Sequence, residues 1–399
     1  MPTKFAKRMD ILNASEIREI LKVTVRPEVI SFAGGLPAPE LFPVDDLRRA
    51  AEAVLDRSGR EALQYSTTQG HEPLREAIAR RMAQAYGSTS SPDDILVTSG
   101  SQQGLDLVAK LFLDDGDVVL CESPTYIGMT QAFSVFRPRF VEVAMDDEGM
   151  VADALAQALR AHPEAKLVYT IPTFQNPTGK TWSAARRRAV MEIATAHEVP
   201  VIEDNPYGEL RFEGEPVPLL KQFDPKGLVL YLGTFSKVFC PGLRLAWVEG
   251  QASFIEKLVL LKQGADLHTS TLAQHLLAEY LQSADIDANI DALRSLYRCR
   301  RDAMLEAIAA AFPPGIVHTR PQGGLFLWVE LPPHVSARDV LARSLERQVA
   351  FVPGGSFFPN GGHENTLRLN YSNMPEERIR EGITRLASVL REVTVGAPA

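Results

Sequence analysis

The stretch Val199-Pro-Val-Ile-Glu-Asp204-Asn-Pro-Tyr207 runs from an apolar segment directly into polar residues. Its first half is apolar at consecutive positions, which is typical of a strand that helices cover on both faces. Similar short apolar runs occur at residues 95–98, 118–122, 167–171 and 228–232. The sequence therefore predicts a set of buried, parallel strands.

Segments with helical periodicity alternate with these runs, at residues 46–56, 73–86, 102–112 and 183–197. Such alternation predicts βα units around a mostly parallel central sheet that helices flank. After Gly250 the pattern is helical to about residue 312, and short strands at 324–330 and 365–371 surround a helix at 337–348. We therefore expect an α/β fold with a large domain and a smaller α+β domain.

Three segments follow from this pattern: an N-terminal arm that belongs partly to the small domain at residues 1–44, a large domain at 45–290, and a C-terminal small domain at 291–399. Within the arm, residues 14–24 have the pattern of a short helix. An extended segment rich in Gly and Pro follows at residues 31–43.

The composition excludes several classes of protein. The 399 residues carry a formal net charge of −8, so we expect no broad basic surface and no nucleic-acid partner. The three cysteines are far apart and form no cluster with histidine, which predicts neither disulfides nor a metal site. No apolar run has the length of a membrane span, and the first ten residues lack the pattern of a secretion signal. We therefore expect a cytoplasmic protein without a membrane partner.

A lysine follows the last apolar run, in Tyr231-Leu-Gly-Thr234-Phe-Ser236-Lys237, and Arg244 lies just beyond a Pro-Gly turn. A lysine amine can condense with an aldehyde, while Thr234, Ser236 and Arg244 can surround a phosphate. An isolated lysine is most often a solvated surface residue. The motif therefore depends on what accompanies it.

Asp204 ends its predicted strand at the sheet edge where doubly wound folds bind ligands. A carboxylate at that place favours the protonated form of a pyridine nitrogen, which makes such a ring an electron sink. Tyr207 is close enough in sequence to donate to a phenolic oxygen of the ring. A helix N-cap or a surface ion pair is the alternative role for the acid.

Two loops follow other predicted strands at the same edge. The turn-rich loop at residues 172–179 would hold Asn176 against the ring oxygen, although a tight turn alone also explains it. Residues Ser101 and Gln102 begin a predicted helix, where backbone N–H groups bind phosphate well. A turn of small residues between strand and helix is common in α/β proteins, so this second signal is weak by itself.

Three more side chains are candidates. Tyr126 is placed to stack on a ring and Tyr65 to reach a phosphate, and either can equally be a buried aromatic residue. Arg368 lies inside a predicted apolar strand, where a guanidinium needs an anionic partner. That partner is either the α-carboxylate of a substrate or a structural Asp or Glu.

The order of these motifs resembles that of the fold-type I aminotransferases of class I/II, which use pyridoxal 5'-phosphate (PLP). The resemblance extends over nearly the whole chain and is strongest to α-aminoadipate aminotransferases of the LysN type and to the related kynurenine/aminoadipate enzymes. The segments that carry it are residues 31–43, 98–103, 172–179, 233–237 and 262–268.

This resemblance implies a role for each residue, with residues 45–290 as the PLP-binding domain. Lys237 would form the Schiff base with PLP and shuttle the proton, and Asp204 would contact the pyridine nitrogen. The other implied contacts are Asn176 and Tyr207 with the ring oxygen, Ser101, Gln102, Ser236 and Arg244 with the phosphate, and Arg368 with the α-carboxylate.

The resemblance also implies a homodimer, because Tyr65 matches a tyrosine that crosses the interface to the phosphate of the neighbouring subunit. Gly35 lies where the N-terminal arm of the family passes over the substrate. Arg18 matches an arginine on a mobile helix that binds the distal carboxylate of a substrate.

The implied reaction is a ping-pong transamination. An L-amino acid of the 2-aminoadipate, Leu, Met, aromatic or Glu type gives its amino group to a 2-oxo acid, with 2-oxoglutarate as the expected acceptor. A β-lyase or a decarboxylase on the same fold is the alternative, since fold and cofactor do not fix the reaction. We do not expect a DNA-binding regulator, because too few residues precede the PLP domain for a helix-turn-helix module. A dinucleotide-dependent dehydrogenase is not expected either, because no G-x-G-x-x-G follows the first strand.

Overall fold

The computed structural model describes residues 4–10, 20 and 26–395. The predicted helix at residues 14–24, and Arg18 with it, lies outside the described residues, apart from Ile20. Three sheets and the helices around them make up the described part of the chain.

The strands there are, in chain order, β1 (Ile30–Ser31), β2 (Ile95–Thr98), β3 (Val118–Ser123), β4 (Arg139–Asp146), β5 (Gly149–Met150), β6 (Leu167–Thr170), β7 (Val201–Asp204), β8 (Val229–Thr234), β9 (Ala246–Glu249), β10 (Val317–His318), β11 (Phe326–Glu330), β12 (Val349–Ala350), β13 (Val352–Pro353) and β14 (Thr366–Asn370). The α-helices are α1 (Val44–Ala62), α2 (Glu72–Tyr86), α3 (Ser101–Phe112), α4 (Ile127–Ser134), α5 (Ala152–Ala161), α6 (Ala184–Ala196), α7 (Ala252–Gln263), α8 (Thr271–Ser283), α9 (Ile286–Ala311), α10 (Ala337–Glu346) and α11 (Glu376–Val395).

The large sheet has the strand order β2-β9-β8-β7-β6-β3-β4-β5. Its central strands β8, β7, β6, β3 and β4 run parallel to one another. Strand β9 is antiparallel to both of its neighbours, and β5 is antiparallel to β4. The prediction of a mostly parallel central sheet flanked by helices is therefore confirmed.

Successive residues of the central strands pack against helices on opposite faces. In β7, Val201 belongs to a buried cluster with Val190 of α6, whereas the next residue, Ile202, belongs to a cluster with Leu105 of α3 and Leu258 of α7. Because both faces are covered, a strand here needs apolar residues at consecutive positions. This explains why the apolar runs located five of the strands.

The pattern of apolar runs did not predict strands β4 and β9, and the structure explains why. Strand β4 lies near the sheet edge, and most of its residues keep some exposed surface, so its sequence mixes polar and apolar residues. Strand β9 is fully buried, but it is only four residues long and follows the Pro241–Arg244 turn without a helix between. Antiparallel neighbours need no crossover helix, so the alternation rule does not detect them.

The smaller part of the molecule contains the sheet β10-β11-β14-β13. Strand β1 of the N-terminal arm pairs in parallel with β12, which joins the arm to this part. Helix α9 runs without interruption across the predicted boundary at residue 290. The division into segments 1–44, 45–290 and 291–399 stays a prediction.

Within the described ranges, no helix combines the length and the apolar character that crossing a membrane requires. The same residues contain no group of three or more His, Cys, Asp or Glu side chains that is arranged to hold a metal ion.

Candidate active site

A cavity of about 340 Å³ opens at the carboxyl ends of β6, β7 and β8. Parallel strands direct their carboxyl ends to one edge, which brings together residues that are far apart in the sequence. The predicted site residues that line it are Gly35, Ser101, Gln102, Tyr126, Asn176, Asp204, Tyr207, Thr234, Ser236, Lys237, Arg244 and Arg368. Tyr65 does not line it, and Arg18 lies outside the described residues.

The amine of Lys237 projects into this cavity just after β8. Its Nζ donates a hydrogen bond of 2.8 Å to the carbonyl oxygen of Gly35 in the arm. Removal of the amine from water, together with the positive charges of Arg368 and Arg244, lowers its pKa to about 8. A lysine with such a pKa is a nucleophile and a proton acceptor near neutral pH.

The carboxylate of Asp204 is buried at the end of β7. Its Oδ2 accepts a hydrogen bond of 2.7 Å from the hydroxyl of Tyr169, whereas Oδ1 has no partner among the described residues. Burial raises the pKa of Asp204 to about 6, and the hydrogen bond from Tyr169 opposes that rise. A buried oxygen without a donor is costly, so the site has room for one N–H group of a ligand. The protonated ring nitrogen of PLP fits this requirement.

Asn176 forms hydrogen bonds with both Arg368 and Tyr207. Its Oδ1 accepts a hydrogen bond of 2.7 Å from Nη1 of Arg368, and its Nδ2 donates across 3.4 Å to the hydroxyl of Tyr207. Both Asn176 and Tyr207 are buried beside the cavity. The amide thus lies between a guanidinium and a phenol, at a position from which it can also contact a ligand.

Arg368 is buried in β14 and stacks on aromatic rings. Its guanidinium carbon lies 4.0 Å from the ring centre of Phe326 and 5.1 Å from that of Phe357, and Nη2 donates to the carbonyl of Ala33. Within the described part of the chain the hydrogen bonds of Arg368 go to an amide and a carbonyl oxygen, no carboxylate pairs with it, and its Nε has no acceptor. Of the two partners considered for this arginine, the structural Asp or Glu is therefore missing among those residues. An external carboxylate suits the remaining donors.

A further group of residues in and beside the cavity has the features of a phosphate site. Gly100 precedes α3 with a φ of +83°, and the first residues of that helix, Ser101 and Gln102, line the cavity. The guanidinium of Arg244 lies so close to Gly100 that a Cβ there would clash with its Nη2. Helix N–H groups, hydroxyls and a guanidinium around one space favour a dianion.

The two predicted tyrosines differ in their surroundings. Tyr126 lines the cavity just before α4, and burial raises its pKa to about 12. Tyr65 is 79% exposed, and its ring edge contacts His268 at 5.8 Å between ring centres. On its own subunit Tyr65 therefore has no contact with the site.

Two residues of the site were missed by the sequence reasoning. Phe326, at the start of β11, lines the cavity and supports Arg368. Tyr169 hydrogen-bonds Asp204 from the neighbouring strand. A signal for Tyr169 exists, since it places a hydroxyl inside the otherwise apolar run at residues 167–171. Buried hydroxyls require partners.

Comparisons with known proteins agree with this geometry. The model of the family "Aminotransferase class I and II" matches residues 38–386. The 2-aminoadipate transaminase of Thermus thermophilus is 44% identical over 390 residues, which cover 97% of this chain and 96% of that protein. The aromatic-amino-acid aminotransferase 1 of Thermococcus litoralis is 44% identical over 392 residues, covering 97% of this chain and 94% of that protein.

The fold also matches a solved structure with a ligand of the expected kind. It is that of LysN, the α-aminoadipate aminotransferase of Thermus thermophilus, complexed with N-(5'-phosphopyridoxyl)-L-leucine. The TM-score is 0.91 at 42% sequence identity, with 98% of each chain covered.

Replacing Gly100 by alanine tests the phosphate end. The new Cβ would displace the guanidinium of Arg244, so Gly100→Ala should weaken the binding of PLP by about tenfold or more, as expected for a lost charge-assisted contact. The measurement is the dissociation constant of PLP, followed by fluorescence titration of the apoprotein.

Gly116→Ala is the matched control, because Gly116 has a similar φ of +85° but nothing within 4 Å of the added Cβ. It shares the backbone strain without the displacement. Equal affinities of the two variants for PLP would contradict the assignment.

Proposed function

Because the chain belongs to the aminotransferase class I and II family, and is thus a PLP-dependent transaminase, we propose that the cavity described above is its active site. The observation that carries this proposal is the convergence of three groups in one space. They are the Lys237 amine and two groups without a partner of opposite charge or a hydrogen-bond donor among the described residues: Oδ1 of Asp204 and the guanidinium of Arg368. A β-lyase or decarboxylase is not favoured, since the relatives at 44% identity are named as aminotransferases.

We infer that five sets of contacts would hold PLP. Lys237 would bind it covalently, Asp204 would accept the ring N–H, and Tyr126 would stack on the ring. The remaining contacts are Asn176 and Tyr207 at the ring oxygen, and Ser101, Gln102, Thr234, Ser236 and Arg244 at the phosphate. When bound, PLP supplies an electron-withdrawing ring that makes the α-proton of an attached amino acid acidic.

The protein residues then control where the substrate and the proton go. Arg368 fixes the α-carboxylate, which orients Cα of the substrate toward Lys237. With the substrate bound, Nζ of Lys237 would accept the proton from Cα of the substrate and hold it for the return transfer. Its lowered pKa, about 8, leaves a useful fraction neutral for this step. The carbonyl of Gly35 orients the amine through the hydrogen bond that it accepts.

Both half-reactions use one pocket, which makes the kinetics ping-pong. The amino acid leaves as a 2-oxo acid before the second 2-oxo acid, which we propose to be 2-oxoglutarate, takes up the amino group. Donors of the 2-aminoadipate and aromatic classes agree with the names of the relatives. We extend the range to Leu, Met and Glu, and expect the enzyme to work in the cytoplasm, where its free thiols stay reduced.

A half-reaction experiment tests the function. The purified holoenzyme is mixed with single amino acids without any 2-oxo acid, and absorbance spectra are recorded. We expect 2-aminoadipate and aromatic amino acids to convert the PLP spectrum to that of pyridoxamine phosphate, and 2-oxoglutarate to restore it.

The Lys237→Ala variant should lose this conversion by several orders of magnitude, because Lys237 is the only lysine among the described residues that line the cavity. Release of ammonia or carbon dioxide without a pyridoxamine spectrum would favour a lyase or a decarboxylase instead.

Arg18 is the proposed contact for a distal carboxylate, a role that rests on the sequence resemblance. Arg18→Ala should raise the KM for 2-aminoadipate by about tenfold to a hundredfold, the size of a lost hydrogen-bonded ion pair. The KM for leucine should stay within about twofold, since leucine has no distal charge. Steady-state kinetics with both donors decide this, and an unchanged KM for 2-aminoadipate would exclude the role.

We further propose that two copies of the chain share their active sites. Tyr65 is 79% exposed and the nearby Leu63 is 70% exposed. Large side chains that are exposed side by side can mark a surface that contacts another protein. Leu267, next to the His268 ring that contacts Tyr65, is 46% exposed. A second subunit on this surface would cover these side chains and bring the Tyr65 hydroxyl to the phosphate of its partner.

Mixed dimers test the shared site. Tyr65→Ala and Lys237→Ala enzymes should each be strongly impaired. In a hybrid, one site combines the intact Lys237 of one subunit with the intact Tyr65 of the other. Random reassociation of equal amounts makes about half of the dimers hybrids, so the mixture should regain about a quarter of wild-type activity. No recovery in mixtures that mass spectrometry shows to contain hybrids would rule out a composite site.

A further inference from the structure

The carboxylate of Asp204 is held from behind by a side chain without an assigned role. Tyr169 lies in β6, which pairs with β7, and its hydroxyl donates the 2.7 Å hydrogen bond to Oδ2 of Asp204. Tyr169 has no exposed surface, and Asp204 is 2% exposed. Because Tyr169 occupies Oδ2, it leaves Oδ1 as the oxygen that can receive a ligand donor.

The surroundings of Tyr169 keep it a donor. Burial and the nearby charges of Asp204 raise the pKa of its phenol well above the ordinary value, so the hydroxyl stays protonated over the working pH range. The other titratable groups that act on it are Tyr126, before α4, and Glu122 of β3. The ring of Phe133 in α4 packs edge-on against it, with 6.4 Å between ring centres. Among the described residues, Asp204 is thus the hydrogen-bond partner of this phenol, and Phe133 packs against its ring.

The hydrogen bond has a consequence for the ring nitrogen of a bound cofactor. A hydrogen-bond donor to a carboxylate stabilises its ionised form. Here the Tyr169 hydroxyl lowers the pKa of Asp204, which burial raises. Without the donor, the carboxylate becomes more basic and also loses the contact that fixes its rotation. Both effects shift a shared proton away from the ring nitrogen and toward the carboxylate.

We propose that Tyr169 is a positioning residue of the transamination, which acts through Asp204 to keep the ring nitrogen of PLP protonated. The inference rests on the proposed function and deepens it. The residue does not touch the substrate. Its contribution is to orient Oδ1 and to limit the basicity of the carboxylate, so that the ring keeps its proton and withdraws electrons from Cα.

The test is the protonation state of the cofactor in Tyr169→Phe holoenzyme. Enzyme is loaded with PLP that carries ¹⁵N in the ring, and the ¹⁵N chemical shift is measured, which separates protonated from unprotonated pyridine. We expect the resonance of the variant to move toward the unprotonated value. We expect kcat to fall by about tenfold with little change in KM, as for a loss confined to the transition state.

Tyr371→Phe is the matched control. Tyr371 is equally buried, and its hydroxyl donates a hydrogen bond of 2.8 Å to the carbonyl of Gly323, away from Asp204. It should lose comparable stability without moving the ¹⁵N resonance. A wild-type resonance in Tyr169→Phe holoenzyme would overturn the proposal and leave Tyr169 a structural residue.

A second comparison decides the matter if Tyr169→Phe does not fold. In the Asp204→Ala background, which removes the acceptor, adding Tyr169→Phe should leave the dissociation constant of PLP unchanged, because the effect passes through the carboxylate alone. A further loss of affinity in the double variant would overturn the proposal. Failure of the wild-type chain to bind labelled PLP would overturn the proposed function first, and this inference with it.

Discussion

The removal of one lysine amine from water, beside two guanidinium groups, is the constraint on which the rest of the site depends. Lys237 shares the cavity with Arg368 and Arg244, and desolvation together with their charges lowers its pKa to about 8. An ordinary surface lysine would be almost entirely protonated at neutral pH, and so unable to attack a carbonyl or to accept a proton. The same two arginines line the cavity and are the proposed contacts for a carboxylate and for a phosphate. The groups that make the amine reactive therefore also match the two charged ends of the reactants.

The sheet explains how these groups meet. Residues from four distant segments, represented by Gly100, Asn176, Asp204 and Lys237, follow strands or loops at a single edge. Behind the lining, a layer of buried hydrogen bonds sets the orientation of the reactive atoms. Tyr169 holds Asp204, and Arg368 holds Asn176. The first pair needs little further support, because the parallel neighbours β6 and β7 already fix the distance between their side chains.

The sequence was most informative where burial dictates composition. The apolar runs located β2, β3, β6, β7 and β8, and the residues at their ends led to Asp204 and Lys237. It was less informative where exposure or partner contacts decide, as in the half-exposed strand β4. Tyr65 could be linked to the site only through the resemblance to a family, since it does not line the cavity of its own subunit. Phe326 was missed because its contact with Arg368 crosses between strands, which no local pattern records. The hydroxyl of Tyr169 inside an apolar run does indicate a buried polar partner, but the sequence alone does not identify that partner as Asp204.

Covalent trapping tests whether Lys237 is the residue that binds PLP. The apoprotein is incubated with PLP at a series of pH values and reduced with borohydride, and the modified lysine is located by peptide mass spectrometry. We expect one labelled residue, Lys237. Its labelling rate should rise as the pH increases through about 8, because the amine must lose its proton to react. Labelling that spreads over surface lysines, or that leaves Lys237 unmodified, would contradict it.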